Sequence, residues 1–537
     1  MAGLVPVARR AGANLARAAR RLAAGAALPR RTGLWPVLHI HPDLGELAGP
    51  RLPWSSGDGL SLIDVLRTLD CAADDPQVDG VLLRLHGAPS GWSRLHSLRR
   101  GLEGVRQGGK PVVAYADSLD AAGLLLASAA DRLWIPESGR VSLVGLRLES
   151  FHLRGLLDQL GLRAEVLRVG AYKSAAEHFT RDAMSPEERE QLEALADDWY
   201  GALVDAIASG RGLETSAVRD RIDRGPYTAQ AAVEAGLIDA CLYPDQVEQE
   251  LEKLAPPPPP ERPGPRRIHR VDGSVYHALR ASDPGWRPLL RGLPRLAYVV
   301  ARGFIHRGHG GRGIASDSVR EMLEMLRQQE AVRGVVLRLD TPGGEPLASD
   351  LLWRDITRLC REKPVVVSMG DVVASGGYYM AVGADAILAE AGTVTGSIGV
   401  VGGKLNVSGL YQKLGIGREG VERGARAGIH SETRGFTPDE RKVLRDDFAS
   451  AYAQFVQRVA GGRALSPEAV ERVAGGRVWS GARALRLGLV DALGGPLEAL
   501  REVRQRAGLD PEERVLLEVR PRMRLLDSPL SFLRGRF

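Results

Sequence analysis

The chain has 537 residues, 44% of them hydrophobic and 26% charged, which is enough apolar material for two domains with separate cores. That balance excludes a disordered chain and a polytopic membrane protein. The net charge of +6 comes without zinc-ligand spacing, a phosphate-binding glycine loop or an aromatic basic groove, so no nucleic-acid partner is expected.

Residues 1–33 read as a basic amphipathic arm. Leu15, Ala18, Leu22 and Ala26 fall at helical spacing against Arg9, Arg10, Arg17, Arg20 and Arg21. Such a helix can lie on an anionic membrane surface. The longest uncharged run there, Leu22–Pro29, is far short of the roughly 20 apolar residues a span needs, so no transmembrane anchor is expected. Charges also interrupt any signal-peptide core. The three cysteines, Cys71, Cys241 and Cys360, are far apart and read as free thiols.

Beyond the arm the chain repeats itself. Val78-Asp-Gly-Val-Leu-Leu-Arg-Leu returns as Val332-Arg-Gly-Val-Val-Leu-Arg-Leu, and Leu160-Gly returns as Leu414-Gly, both 254 positions on. Ser185-Pro-Glu-Glu answers Thr437-Pro-Asp-Glu, and Gly236-Leu-Ile-Asp-Ala answers Gly488-Leu-Val-Asp-Ala, each 252 positions on. This duplication predicts repeat one over 34–252 and repeat two over 291–505. A connection over 253–290 carries five successive prolines, which favour an extended linker, and a tail follows over 506–537. Within repeat two, β-branched runs predict strands at Val335–Leu339, Val365–Met369 and Ala386–Ala389. Helical spacing predicts helices over Ser349–Arg361 and from Tyr378. The alternation implies an α/β domain.

Ser375, in Ala374-Ser-Gly-Gly-Tyr-Tyr, stands where a strand ends and a helix begins. It is either an N-cap or a nucleophile at a positive helix end, with glycines that let a peptide approach. Asp340-Thr-Pro-Gly-Gly follows another strand, and its bare backbone N–H groups suit a turn or one side of an oxyanion hole. No lysine or histidine sits beside Ser375 at a motif spacing, so a base must come from elsewhere in the fold. Lysine is scarce, seven against 65 arginines. Arginine keeps its proton at working pH and cannot serve. Lys173, in Gly170-Ala-Tyr-Lys-Ser-Ala-Ala, has small and apolar neighbours that suit burial, and burial lowers an ammonium pKa. At the 254-residue offset, Ser375 falls on Ala121 and Lys173 on Ala427. Each repeat thus keeps one half of a dyad, and packing about a pseudo-twofold would join the halves. His178 has no acid placed to make it a triad member and reads as structural.

Asp340-Thr-Pro-Gly-Gly, Ala374-Ser-Gly-Gly-Tyr-Tyr, Val394-Thr-Gly-Ser-Ile-Gly-Val and Gly170-Ala-Tyr-Lys-Ser-Ala closely resemble the motifs of signal peptide peptidase A (protease IV, peptidase family S49) in its long, tandem-repeat form. The resemblance implies a ClpP/crotonase-like fold in each repeat and a homotetramer. It implies a serine endopeptidase that hydrolyses cleaved signal peptides and other short apolar peptides without a cofactor or metal. It makes Ser375 the nucleophile, Lys173 the general base, the N–H groups of Gly344 and Gly376 the oxyanion donors, and Ser397 a partner that orients the lysine. The long form carries a membrane anchor. With only a basic arm here, the expected place is peripheral at a bacterial inner membrane, or soluble. Two rival readings are a crotonase-like enzyme acting on acyl-CoA and a non-catalytic membrane scaffold using the arm and the apolar tail (Leu525, Leu526, Leu530, Phe532, Leu533).

Overall fold

The computed structural model describes residues 11–15, 18–19, 33–48, 59–254, 268–282 and 292–521. Most of the basic arm, the proline run and the apolar tail from 522 onward lie outside the described residues. Among the described residues, no helix is long and apolar enough to cross a membrane.

Each repeat builds the same parallel sheet. In repeat one the order is His269–Asp272, Leu34–Ile40, Val81–Leu85, Val112–Ala116, Arg132–Ile135, Ala240–Cys241. In repeat two it is Leu516–Arg520, Arg295–Arg302, Val332–Thr341, Val365–Ala374, Ala386–Ala389, Ala492–Leu493. All five residues of Val112–Ala116 are buried, as are the first six of Val365–Ala374. Helices cover both faces of a parallel sheet, which is why its central strands read as nearly unbroken apolar runs.

The edge strands carry no such signal. His269–Asp272 falls inside the expected Pro-rich connection, and Leu516–Arg520 inside the expected tail. Each buries a single residue, Val271 in the first and Glu518 in the second. Both repeats therefore close their sheets with a segment that follows a terminal helix, Pro244–Leu254 in one and Pro496–Arg506 in the other.

Strand registers fix how the repeats correspond. Leu119 pairs Val141 and Asp120 pairs Ser142 in repeat one. Val373 pairs Thr395 and Ala374 pairs Gly396 in repeat two. All four counterparts lie at the 254-residue offset, so Ala121 occupies the place of Ser375.

An antiparallel pair joins the repeats: Arg163–Val169 of repeat one lies against Val400–Asn406 of repeat two. The long helix Pro438–Arg463 packs on the first of these strands. A true twofold would also pair the two counterpart segments, 146–152 and 417–423, but neither is a strand. The repeats therefore meet here through a one-sided contact, not through the pseudo-twofold the duplication suggested.

A second contact is buried and charged. The Arg338 side chain is wholly buried and gives Nη2 to Glu46 Oε1 at 2.9 Å and Nε to Glu46 Oε2 at 3.1 Å. Burial works against the Glu46 carboxylate, but Arg338 holds its pKa below the usual range. Arg94, on the helix Trp92–Gln107, lies 3.7 Å from Glu46, 3.7 Å from Asp340 and 3.5 Å from Asp371. The backbone N–H of Ser93 donates to Asp371 at 2.9 Å. Loop 86–91 of repeat one, which corresponds to the Asp340-Thr-Pro-Gly-Gly loop, thus leads into a helix start that braces the strand Val365–Ala374.

Candidate active site

The strand Val365–Ala374 ends at Ser375, and the short helix Gly376–Ala381 begins beyond it. Ser375 has φ 53° and ψ −121°, a conformation L residues rarely adopt. It occupies the N-cap position, yet its side chain makes no capping bond. Its N–H donates to the carbonyl of Gly396 at 2.9 Å, which pins the turn from the neighbouring strand. The hydroxyl makes no bond to its own helix and is left for another partner.

That partner is Lys173. It lies four residues past the strand Arg163–Val169, in a loop held against repeat two. The N–H of Tyr172 donates to the Gly475 carbonyl at 2.9 Å. Gly476 has φ 84°, and a Cβ there would stand 2.5 Å from the Lys173 nitrogen, so the lysine backbone rests where only glycine leaves room. Lys173 Nζ lies 2.9 Å from Ser375 Oγ, 2.8 Å from Ser397 Oγ and 2.8 Å from the Ser397 carbonyl oxygen. Ser397 also has a positive φ, 52°, and its N–H donates to the Arg477 carbonyl at 2.8 Å. This backbone turn aims both of its oxygens at the amine.

Lys173 is only 4% exposed, and desolvation lowers its pKa to about 7. No carboxylate contributes to that shift, so nothing restores the charge. The neutral amine has two N–H donors and one lone pair. The donors suit the two Ser397 oxygens, and the lone pair suits the Ser375 O–H.

The loop after Val332–Thr341 supplies the opposite wall. Ile305 N–H donates to the Gly343 carbonyl, and Glu345 N–H donates to the Ile305 carbonyl, both at 2.9 Å. This bridge is made by the residues flanking Gly344, so the Gly344 N–H makes no hydrogen bond among the described residues. Gly376, first in its helix, likewise has an N–H without an intrahelical acceptor. A Cβ on Gly376 would stand 3.3 Å from the Gly344 nitrogen, so the two unspent amides are close together. Gly343 has φ 109°, and a Cβ there would stand 2.8 Å from Ser375 Cβ and 2.9 Å from the Gly376 nitrogen. Gly343→Ala is expected to push the two amides apart and lower kcat by about 10²–10³-fold, the usual cost of losing one oxyanion donor. Steady-state kinetics that separate kcat from KM check this.

The structure thus brings Ser375, Lys173, Ser397, Gly344 and Gly376 into one place. His178 stands apart, its Nδ1 2.8 Å from the Phe151 carbonyl oxygen. The brace formed by Arg94, Asp340 and Asp371 is absent from the sequence-based expectations. Asp340 opens one of the quoted motifs and Asp371 stands three residues before another, but no spacing ties either one to Arg94, on the other repeat.

The sequence model of peptidase family S49 matches the chain twice, over residues 105–256 and 357–510. The chloroplastic serine protease SPPA of Arabidopsis thaliana is 34% identical over 468 residues, covering 86% of this chain and 68% of that protein. Protease 4 of Salmonella typhi is 30% identical over 480 residues, covering 87% of this chain and 75% of that protein. Among solved structures, a ClpP1 mutant from Listeria monocytogenes is 14% identical, with 38% of this chain and 94% of that one covered and a TM-score of 0.27. Matched in both repeats by the family model, and over most of its length by these proteases, the chain belongs to peptidase family S49 and is a serine peptidase.

Proposed function

We propose that Ser375 is the nucleophile and Lys173 the general base of an endopeptidase that hydrolyses cleaved signal peptides and other short apolar peptides. The observation that carries this reading is a buried amine, its pKa lowered by desolvation to about 7, 2.9 Å from the hydroxyl of a serine in a strained turn. Neutral Lys173 takes the Ser375 proton as Oγ attacks the scissile carbonyl carbon. The N–H groups of Gly344 and Gly376 receive the oxyanion, and Ser397 steadies the new ammonium with two acceptors. Collapse breaks the C–N bond, and the ammonium gives its proton to the leaving amine. Water, deprotonated by the same lysine, then attacks the acyl ester, releases the acid and restores Ser375.

The substrate class is supported by the motif resemblance and by the surroundings of the oxyanion loop. Phe304 adjoins Ile305, which bridges Gly344, and Leu347 lies three residues beyond that glycine; both are large, exposed apolar side chains. An apolar peptide would cover them. The resemblance also supports a homotetramer, and the arginines of the arm support peripheral contact with an anionic membrane.

The test is a pH profile on an apolar peptide. Lys173 is a working base only when neutral, so kcat/KM should rise as pH passes upward through about 7 and fall away below it. A flat profile from acid to alkaline pH would remove Lys173 from the role of base.

A further inference from the structure

Residues 475–478 of repeat two run into the strand Val478–Ser480 and hold two sides of the Lys173 amine's surroundings. One side is the lysine loop. The Gly475 carbonyl accepts the Tyr172 N–H, and the Val478 N–H donates to Gln191 Oε1 at 3.2 Å. Gln191 in turn gives its Nε2 to Ser174 Oγ at 2.9 Å, so the residues on both sides of Lys173 are tied down. The other side is the Ser397 turn. The Arg477 carbonyl accepts the Ser397 N–H, and the Gly476 N–H donates to the Ile398 carbonyl, both at 2.8 Å.

The Arg477 side chain adds a clasp on the lysine loop. Its guanidinium carbon lies 4.8 Å from the centre of the Tyr172 ring and 4.5 Å from the centre of the Trp479 ring. Arg477 Nη1 lies 2.7 Å from Glu190 Oε1, and the Tyr172 hydroxyl donates to Glu190 Oε2 at 2.8 Å. Arg477, Glu190 and Tyr172 thus form a closed ring of contacts across the repeats, and Tyr172 directly precedes Lys173. Glu190 is half exposed, so its ion pair alone counts for little. A planar guanidinium against two aromatic faces is the stronger part, and lysine does not reproduce it.

The duplication shows where such a ring is kept. Arg140 pairs Thr228 and Val141 pairs Tyr227 in repeat one, as Val394 pairs Ser480 and Thr395 pairs Trp479 in repeat two. The helices Ala229–Glu234 and Gly481–Arg486 correspond at 252 positions, as do the long helices Pro186–Arg211 and Pro438–Arg463. The counterpart of Arg477 is therefore Gly225, that of Gly476 is Arg224 and that of Glu190 is Lys442. At the 254-residue offset, Tyr172 answers Arg426 and Lys173 answers Ala427. Every member of the ring is replaced where no lysine base stands.

We infer that Arg477 is a positioning residue for the reaction, one that acts through Tyr172 and through its own carbonyl to keep the Lys173 amine packed against Ser397 and away from water. This rests on the reading of Lys173 as the base. Arg477 is not a partner of the Lys173 amine, whose contacts are Ser375 and Ser397; it acts through the residues beside them. With the clasp opened, the lysine loop loosens and water reaches the amine. Part of the desolvation is lost, and the Lys173 pKa moves up from about 7 toward the ordinary lysine value. Less of the amine is then neutral at pH 7.

The test is the pH dependence of kcat/KM on an apolar peptide, measured with the full chain. Arg477→Ala is expected to move the rise near pH 7 upward by about one unit, to lower activity at pH 7 about five-fold, and to regain most of it at about pH 9. Tyr172→Phe and Glu190→Gln should move the midpoint the same way by less. Arg477→Lys, which keeps the charge but not the stacking, should fall between the native chain and the alanine variant. A merely structural residue would lower the plateau and the urea midpoint and leave the midpoint of the pH profile in place. If the native chain shows the rise but Arg477→Ala, folded by circular dichroism, keeps its midpoint, the clasp is overturned and the base stands. If Arg477→Ala does not fold, unmoved midpoints in both Tyr172→Phe and Glu190→Gln overturn it instead. A flat profile in the native chain would remove the base, and this inference with it.

Discussion

Ser375→Ala is expected to lower kcat/KM on an apolar peptide by at least about 10³-fold, and Lys173→Ala by a similar factor. In the proposed mechanism the hydroxyl and the amine, 2.9 Å apart, form one proton-transfer unit, so removing either disables the same step. The double variant should therefore be hardly worse than either single one, because groups that act as a unit are not additive. Residual activity above background would come from the Gly344 and Gly376 amides and from substrate binding. Lys173→Arg should be as inactive as the alanine variant, since a guanidinium keeps its proton. A serine-directed phosphonate should label the native chain and fail on Ser375→Ala. Both single variants should keep native circular dichroism and native mass. Near-normal turnover by either would sink the dyad, and acyl-CoA binding without phosphonate labelling would point to the crotonase-like alternative.

Glu46→Ala is expected to have the largest effect on stability, about 3–5 kcal/mol, the usual cost of removing one partner of a buried ion pair. Arg338 is wholly buried, and Glu46 takes two of its N–H groups. The remaining acceptors around the guanidinium, among them Ser368 Oγ at 3.1 Å and Ser93 Oγ at 3.1 Å, are neutral and cannot balance its charge. Urea denaturation should show the loss as a lower midpoint. Glu46→Gln keeps the shape but not the charge and should fall between. Replacing Glu46 and Arg338 together by Leu and Met should recover most of the stability, because the cost lies in the stranded charge and not in a missing attraction. Arg338 sits two residues before Asp340, whose strand leads into the oxyanion loop, so Glu46→Ala should also lower kcat at temperatures where the chain is still folded. A midpoint unchanged by Glu46→Ala would show that this contact does not hold the repeats together.

Much of the site was legible because its parts are local. A strand followed by Ser-Gly-Gly and a helix fixes where Ser375 stands, whatever packs around it. Lys173 was visible by contrast with the arginines elsewhere, since only an amine can give up its proton near neutrality. The edge strands were not legible. A strand at the edge of a parallel sheet that buries a single side chain carries no periodic signal, so His269–Asp272 read as linker and Leu516–Arg520 as tail. The brace of Arg94 on Asp340 and Asp371 was invisible for a different reason: its partners lie on opposite repeats, and chain spacing says nothing about them.

The amino-acid sequence by itself determined the duplication, the α/β alternation, the glycine loops and the placing of Ser375 in one repeat and Lys173 in the other, because each depends on neighbours along the chain. Tertiary structure alone decided that residues 202 apart in sequence meet. It also decided that burial lowers the Lys173 pKa to about 7, that Ser397 turns both oxygens toward it, and that one strand pair forms between the repeats while its counterpart stays open. Desolvation and hydrogen-bond geometry are properties of all the atoms around a group, and those atoms come from both repeats.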